Sequence, residues 1–289
     1  MLRERLVRVD INPDVELFVA ETIGDYSETL LVIHGGPDWD HTYLLDPLVR
    51  LRGEHRVVFV DLRGCGRSTR GLPSEAYTPA KAASDLAALI DVLGCEPVDV
   101  LGFSYGGLIA QRMAVTAPAK VRRLIVASSS VLPVPGDAFD GWTEREQRVA
   151  SMRRLEDHTE WDAERTRLEA INSATLNIWN LDRLPEYLAR LDRVRFSADW
   201  AAPCIAGTLP SPRLDQSIER LAALAKPLLL LQGRQDMTFP AGLVAPTLRL
   251  IPSARAAVLD DAGHMAHVDQ PDAWLAAISS FLRPDSHSS

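Results

Sequence analysis

Cysteine, lysine and long hydrophobic runs are scarce in this chain of 289 residues. The three cysteines, Cys65, Cys95 and Cys204, lack the spacing of a metal site or a disulfide framework, which favours a reducing compartment. No apolar run approaches membrane-spanning length, and the opening residues Met-Leu-Arg-Glu-Arg lack the apolar centre of a signal peptide. We therefore expect a cytoplasmic protein that has no membrane partner.

Basic residues are also too few and too dispersed for a nucleic-acid-binding protein. The chain has 31 Lys and Arg against 39 Asp and Glu, a formal net charge of −8, and no basic run. Its apolar fraction of 46% and charged fraction of 24% are those of an ordinary soluble globule. We expect a small-molecule or peptide substrate, no metal ion and no cofactor, and no pattern indicates an oligomeric state.

Short apolar runs alternate with helical patterns in the first and last parts of the chain. Residues 5–11 and 15–21 predict an antiparallel hairpin around Asn12-Pro13-Asp14. Further strands are predicted at 30–33, 56–60, 98–102, 123–127, 227–233 and 256–259, and helices at 41–52, 78–93, 240–250 and 271–282. This order predicts an α/β fold with a mostly parallel, doubly wound sheet.

The alternation stops between residues 131 and 224, where the sequence is helical and highly charged. We interpret this stretch as a helical lid, or cap, inserted into a core formed by residues 1–130 and 225–283, and we expect 284–289 to be a disordered tail. Most of the lid's tryptophans are expected to pack the lid itself. The candidates for substrate contact are Asp38, Trp39, Trp142 and Trp179.

A serine lies between two glycines at the end of the predicted central strand. The sequence Gly102-Phe-Ser104-Tyr-Gly106 is followed directly by a helical pattern of small residues. A sharp strand-to-helix turn of this kind exposes the serine hydroxyl and leaves no room for side chains at the glycine positions. Ser104 is therefore a candidate nucleophile; the alternative is a surface serine in a glycine-rich turn.

An acid and a histidine follow two later strands. Asp236 comes after the strand at 227–233, and His264 comes after the strand at 256–259. Because ligands bind outside the carboxyl ends of parallel strands, we expect Ser104, Asp236 and His264 to meet and form a catalytic triad. Taken singly, Asp236 also suits a helix N-cap and His264 a surface loop.

Other residues compete for these roles. His267 is an alternative base, and Asp260 or Asp261 is an alternative acid, although both precede His264 on one loop. His34 directly follows an apolar strand and is expected to bond the backbone and shape its loop.

The oxyanion donors are predicted from backbone chemistry. The N–H of Tyr105 stands at a helix start beside the nucleophile. Gly36 is the second candidate, because Gly35 and Gly36 permit a close approach of the chain whereas Pro37 has no N–H. The two glycines also suit a simple tight turn.

These motifs resemble the α/β-hydrolase superfamily. The matching segments are His34-Gly-Gly-Pro37, Asp61-Leu-Arg-Gly-Cys-Gly-Arg-Ser68, Gly102-Phe-Ser-Tyr-Gly106, Gly233-Arg-Gln-Asp236 and Gly263-His264. The first two look most like the proline iminopeptidase branch. The resemblance implies the same triad and the same oxyanion donors. The chain departs from that branch in Asp38-Trp39-Asp40-His41 and in Tyr105, where the branch usually has tryptophan.

The sequence thus predicts a serine hydrolase that acts through an acyl-enzyme on a small peptide, amide, ester or lactone. An acyltransferase or biosynthetic tailoring enzyme with the same triad is the second reading. A non-catalytic ligand receptor on the same scaffold is the third.

Overall fold

The computed structural model describes residues 2–152 and 161–283, and one eight-stranded sheet lies at its centre. The strand order is β1-β2-β4-β3-β5-β6-β7-β8. The pairs β1–β2 and β2–β4 are antiparallel and all other neighbours are parallel, so the predicted mostly parallel sheet is confirmed. The strands are β1 (Leu2–Ile11), β2 (Asp14–Thr22), β3 (Thr29–Ile33), β4 (Arg56–Val60), β5 (Val98–Phe103), β6 (Val121–Ala127), β7 (Leu228–Gly233) and β8 (Ala254–Leu259).

Helices cover both faces of this sheet. Along β4, Val58 and Val60 pack into one apolar layer while Val57 and Phe59 pack into the opposite layer, all four fully buried. A strand covered on both faces needs apolar residues at every position, which explains the continuous apolar runs. The α-helices are α1 (Leu45–Leu48), α2 (Pro79–Leu93), α3 (Tyr105–Thr116), α4 (Thr143–Ala150), α5 (Ala163–Asn172), α6 (Ala174–Asn177), α7 (Leu184–Leu191), α8 (Ala201–Ile205), α9 (Ser217–Leu224), α10 (Val244–Leu250), α11 (Ala266–Asp269) and α12 (Pro271–Leu282).

Local signals fix the ends of α2. The Thr78 hydroxyl accepts a hydrogen bond from the Lys81 N–H, and Pro79 occupies the first helical position, where its missing N–H costs nothing. Gly94 ends the helix in the left-handed region. The observed bounds therefore match the predicted helix closely.

The predicted continuous helix at 41–52 is wrong. The segment instead contains a 3₁₀ turn at Thr42–Leu44, the short α1, and a second 3₁₀ turn at Val49–Gly53. Asp46 has non-helical angles (φ −99°, ψ 128°) because it precedes Pro47, whose ring clashes with a helical neighbour. The remaining 3₁₀ turns are Ser74–Ala76, Pro118–Lys120, Leu181–Arg183 and Ala241–Leu243.

A long segment, residues 128–227, separates β6 from β7, and we call it the insertion. Its described residues contain α4 to α9 and no strand, in keeping with the helical pattern predicted for 131–224. The predicted disordered tail at 284–289 lies outside the described residues. Across residues 2–152 and 161–283, none of the helices has the length and apolar character required to span a bilayer.

Candidate active site

Ser104 lies at the turn between β5 and α3 in a strained backbone conformation. Its φ of 54° and ψ of −121° fall where side-chain-bearing residues rarely occur, so the surroundings must enforce them. A Cβ atom at Gly102 would lie 2.4 Å from the Gly106 carbonyl oxygen, and one at Gly106 would lie 2.3 Å from the His34 carbonyl oxygen. Both glycines are therefore required for β5, α3 and the loop after β3 to pack this closely.

The imidazole of His264 lies between the Ser104 hydroxyl and the Asp236 carboxylate. The distance from His264 Nε2 to Ser104 Oγ is 3.0 Å, and that from Nδ1 to Asp236 Oδ2 is 2.9 Å. Because a carboxylate only accepts hydrogen bonds, Nδ1 carries the proton and donates it, which leaves Nε2 to accept from the Ser104 hydroxyl. His264 is 4% exposed and Asp236 is 0% exposed, so water competes little for these bonds. The structure thus brings together the three residues that the sequence proposed.

Further bonds fix the Asp236 carboxylate. Oδ1 accepts from the backbone N–H groups of Thr238 (2.7 Å) and Phe239 (2.9 Å). Oδ2 accepts from the Gln232 side-chain amide at 2.7 Å as well as from His264. The Phe239 ring stacks on the imidazole at 5.9 Å between centroids. Sequence reasoning missed Gln232 and Phe239, since a glutamine within an apolar strand is a weak signal.

The alternative base and the alternative acids do not contact Ser104 or His264 through a hydrogen bond among the described residues. His267 is fully buried beside the rings of Tyr43, Phe103 and Trp274, and its Nε2 donates to the Tyr43 carbonyl at 3.2 Å. Burial holds the pKa of His267 well below its usual value. Asp260 and Asp261 are both exposed, and Asp260 pairs with Arg234.

The His34 ring forms hydrogen bonds with backbone groups of its own loop and of the segment after β4. Its ring lies 2.6 Å from the Gly35 carbonyl through Nδ1, and its Nε2 accepts from the Leu62 N–H at 3.0 Å. Burial lowers the pKa of His34. This residue shapes the loop after β3, as expected.

Two backbone N–H groups beside Ser104 make no hydrogen bond within the described residues. A Cβ atom at Gly35 would lie 2.8 Å from Ser104 Cβ, so the loop after β3 passes directly against the serine. The Gly35 N–H donates to the Tyr43 hydroxyl at 2.8 Å, which leaves the Gly36 N–H unpaired, with Gly36 at φ +114°. The Tyr105 N–H is the first of α3 and lacks an acceptor in the preceding turn.

A cavity of about 310 Å³ contains Ser104 and His264, and its walls are mainly apolar and aromatic. The remaining lining residues are Gly36, Pro37, Asp38, Trp39, Tyr43, Phe103, Trp161, Thr166, Asn177, Trp200, Ala201, Cys204 and Met265. Asp38 and Trp39 are therefore placed at the cavity as the sequence proposed.

Trp142 and Trp179, by contrast, do not line this cavity among the described residues, and Trp161 and Trp200 do. The Trp142 ring packs on Phe139, and the Trp179 ring lies 5.2 Å from the Arg148 guanidinium carbon. The sequence shows which residues are aromatic but not which side of an irregular helical segment faces the cavity.

Asp38 joins the loop after β3 to the insertion. Its Oδ1 accepts from the Ser197 hydroxyl (3.0 Å) and the Trp200 N–H (3.1 Å), and its carbonyl accepts from the Ser197 N–H (2.9 Å). Burial raises the pKa of Asp38 to about 6. On the same loop, Asp40 Oδ2 accepts from the Arg195 N–H at 2.9 Å.

Asp269 makes a similar link on the histidine side. Its Oδ2 accepts from the N–H groups of Gly263 (2.8 Å) and Trp179 (2.9 Å), and its Oδ1 accepts from the Asn180 N–H (3.0 Å). The carboxylate thereby ties the His264 loop to the insertion, and burial raises its pKa. The sequence analysis did not identify Asp269, because no motif or spacing in the sequence marks it.

One group of potential metal ligands lies at the opposite edge of the sheet. Ligand atoms of Glu28, His55 and Asp99 all lie within 4.8 Å of one another. Arg122 already pairs with Glu28 (2.8 Å) and Asp99 (2.6 Å), and Arg123 also contacts both. The two carboxylates are thus balanced by two guanidinium groups, which makes an ion-pair network the simpler assignment.

The sheet order, the strained serine turn and the long helical insertion together define an enzyme scaffold of the α/β-hydrolase type. Residues 28–271 match the family model described as alpha/beta hydrolase fold, and the chain belongs to this family. The resemblance inferred from the motifs is therefore confirmed at the level of the superfamily.

Individual relatives are distant. The chain is 32% identical over 263 residues to the dihydrolipoyllysine-residue acetyltransferase component of the acetoin cleaving system from Cupriavidus necator, covering 90% of this chain and 64% of that protein. It is 25% identical to a proline iminopeptidase from Heyndrickxia coagulans, covering 88% and 90% of the two chains. A thermophilic esterase from Thermogutta terrifontis has a similar structure, with a TM-score of 0.72, 24% identity and 98% coverage of each chain. At that identity the likeness to the esterase shows the fold alone.

Proposed function

We propose that this protein is a serine hydrolase with Ser104 as nucleophile, His264 as general base and Asp236 as the group that orients the base. The observation that carries the proposal is the pair of distances at His264, 3.0 Å to Ser104 Oγ and 2.9 Å to Asp236 Oδ2. A neutral imidazole held in this tautomer removes the serine proton as the hydroxyl attacks an acyl carbon. An unassisted hydroxyl is a poor nucleophile at neutral pH.

The proposed reaction has two halves. The bond from Ser104 Oγ to the acyl carbon forms, and the N–H groups of Gly36 and Tyr105 donate to the resulting oxyanion. The imidazolium then gives its proton to the leaving alcohol or amine as the acyl bond breaks. In the second half, His264 takes a proton from water as the water oxygen bonds to the acyl carbon. The imidazolium then returns that proton to Ser104 Oγ as the bond from Oγ to the acyl carbon breaks and the acid product leaves.

The insertion is proposed to act as a cap that binds the acyl group or leaving group. Six of its residues line the cavity that contains Ser104, namely Trp161, Thr166, Asn177, Trp200, Ala201 and Cys204. The volume of about 310 Å³ suits a small ester, amide, peptide or lactone. For the core and the cap we propose the boundaries inferred from the sequence, 1–130 with 225–283 for the core and 131–224 for the cap.

Replacing Ser104 by alanine tests the proposal. With a panel of p-nitrophenyl esters and amino-acid p-nitroanilides, including proline, kcat should fall by about 10³-fold or more while the fold is retained. Ser128→Ala is the matched control, because Ser128 is a buried serine at the next strand end whose hydroxyl has no partner among the described residues. A fluorophosphonate should label Ser104 in the wild type; an unlabelled, inactive wild type would favour the non-catalytic reading.

Transfer of the acyl group to an acceptor other than water is the second candidate. The likeness to a protein named as an acetyltransferase component favours it. Turnover in ¹⁸O-labelled water discriminates the two, since hydrolysis incorporates the label into the acid product and transfer to another acceptor does not.

A further inference from the structure

A buried carboxylate forms part of the wall of the cavity that contains Ser104. Asp38 is 4% exposed, lies two residues after Gly36, and lines the cavity together with the insertion residues Trp200 and Ala201. None of the ion pairs found among residues 2–152 and 161–283 involves Asp38. Its charge therefore has no cationic partner within the part of the chain that the structure describes.

Neutral hydrogen-bond donors hold this carboxylate in place. The Ser197 hydroxyl and the Trp200 N–H both donate to Oδ1, at 3.0 and 3.1 Å. Such dipoles fix the position of the group and support its ionised form, but they do not cancel its net charge. At neutral and alkaline pH, a substrate in the cavity therefore experiences a fixed negative charge.

The other walls do not compensate for it. The described lining contains neither lysine nor arginine, and it includes the aromatic residues Trp39, Tyr43, Trp161 and Trp200. Aromatic ring faces are electrostatically negative and attract cations. A second carboxylate entering this cavity would be repelled by Asp38 and would lose its hydration without gaining a partner.

We infer that Asp38 makes the cavity select acyl groups by charge, favouring neutral and cationic chains over chains that carry a carboxylate. This inference rests on the proposed hydrolase function and names the substrate class of the same site. Two like charges roughly 8 Å apart in a partly buried site repel enough to lower kcat/KM about tenfold or more. A positive charge at the same place is attracted with a comparable energy, which offsets the hydration that the cation loses on entering the cavity.

Pairs of substrates that are similar in size but differ in charge test the inference. The anionic pair is p-nitrophenyl succinate and p-nitrophenyl butyrate, and the cationic pair is p-nitrophenyl 4-(trimethylammonio)butyrate and its carbon isostere, p-nitrophenyl 5,5-dimethylhexanoate. In the wild type, butyrate should exceed succinate in kcat/KM by about tenfold or more, and the cationic ester should at least equal its isostere. In Asp38→Asn, the butyrate-to-succinate ratio should fall about tenfold. An unchanged ratio in that variant would overturn the inference.

Asp40→Asn is the matched control. Asp40 lies on the same loop, is 1% exposed and also accepts a backbone N–H from the insertion, but it does not line the cavity. Its substitution should change the ratio by no more than about twofold. A change as large as that of Asp38→Asn would assign the selectivity to the loop rather than to the charge in the cavity wall.

The wild type alone provides a second test if Asp38→Asn fails to fold. Among the described residues, the titratable groups that interact with Asp38 are Asp199 on the insertion, the Cys65 thiol and the Tyr105 hydroxyl, and His264 shares the cavity. Protonation of His264 affects both esters of a pair equally and cancels in their ratio. Because burial raises the pKa of Asp38 to about 6, the butyrate-to-succinate ratio should rise as pH increases through that value. A ratio constant from pH 5.5 to 8 would refute the role of Asp38.

Ligand binding separates this inference from the proposed function. N-Phenylbutanamide and N-phenylsuccinamate differ only in the terminal group, and quenching of the cavity tryptophans reports their binding to Ser104→Ala. Tighter binding of the neutral amide, by about tenfold, supports charge selection even if no ester is hydrolysed. Equal binding, or binding of neither amide, would contradict it, whereas loss of ester hydrolysis alone would contradict only the proposed function.

Discussion

Replacing Asp236 by asparagine should disable the proposed base while leaving the fold intact. The carboxylate oxygen Oδ1 accepts from the N–H groups of Thr238 and Phe239, so an asparagine keeps its carbonyl oxygen at that position. Its amide nitrogen then takes the place of Oδ2, where it faces His264 Nδ1 and the Gln232 side chain. The Gln232 amide nitrogen also donates to the Phe239 carbonyl at 2.7 Å, so Gln232 cannot turn its amide to accept from the asparagine without losing that bond. The His264 N–H likewise cannot donate to the asparagine N–H₂ group.

The consequence is a change of tautomer. An asparagine amide that donates to Nδ1 moves the imidazole proton to Nε2, which then faces Ser104 Oγ and can no longer accept its proton. The negative charge that stabilises the imidazolium is also lost. Together these effects should lower kcat by about 10⁴-fold, equivalent to about 5.5 kcal/mol in the activation free energy.

The measurement is kcat for the ester that the wild type hydrolyses fastest, with the thermal midpoint of each variant as the check on folding. Asp261→Asn is the control, because Asp261 is an exposed acid on the His264 loop at φ 53°, a conformation that asparagine tolerates. That control should change kcat by no more than about twofold. A folded Asp236→Asn enzyme that keeps more than about a tenth of wild-type kcat would refute the assignment of Asp236.

Two further predictions concern stability. Gly106→Ala should lower the free energy of unfolding by about 2–3 kcal/mol, because its Cβ would lie 2.3 Å from the His34 carbonyl oxygen, whereas Gly136→Ala, with nothing within 4 Å, should be neutral or slightly stabilising. Equal urea midpoints for the two variants would contradict the tight turn. Burial holds the pKa of His267 well below its usual value, so this histidine is neutral when folded and its contribution to stability is lost as pH falls through its unfolded pKa near 6.5. Between pH 7 and 5.5 the wild type should therefore lose about 1 kcal/mol more unfolding free energy than His267→Gln, which retains a donor for the Tyr43 carbonyl. A constant difference between the two proteins would show that His267 is not neutral when folded.

The main features of the sheet and its edge were predictable because they depend on local patterns and on one topological rule. Parallel strands place their carboxyl ends together, so Ser104, Asp236 and His264 converge although 160 residues separate the first from the last. The strained turn at Ser104 follows from Gly102 and Gly106, which no other residue type can replace at those contacts. The chemical roles given to these residues remain predictions.

Features that depend on tertiary packing were not predictable in the same way. The irregular short helices of the insertion determine which of its four tryptophans point toward the cavity. Trp161 and Trp200 line it, whereas Trp142 and Trp179 do not. Pro47 broke the expected helix at 41–52, a local effect that the apolar pattern concealed. Asp269 joins the backbone of its own loop at Gly263 to the distant backbone at 179 and 180, which no sequence spacing reveals.

The insertion contributes to the geometry of the proposed site and does more than cover it. Asp38 ties the loop that carries Gly36 to Ser197 and Trp200, while Asp269 ties the loop that carries His264 to the backbone at 179 and 180. Without the insertion, both buried carboxylates would lose most of their donors, and an unpaired buried carboxylate either draws in water or rearranges its loop. The proposed oxyanion donor and the proposed base are therefore both positioned by the segment that also lines the acyl cavity. Changes in the insertion should in consequence alter kcat as well as substrate preference.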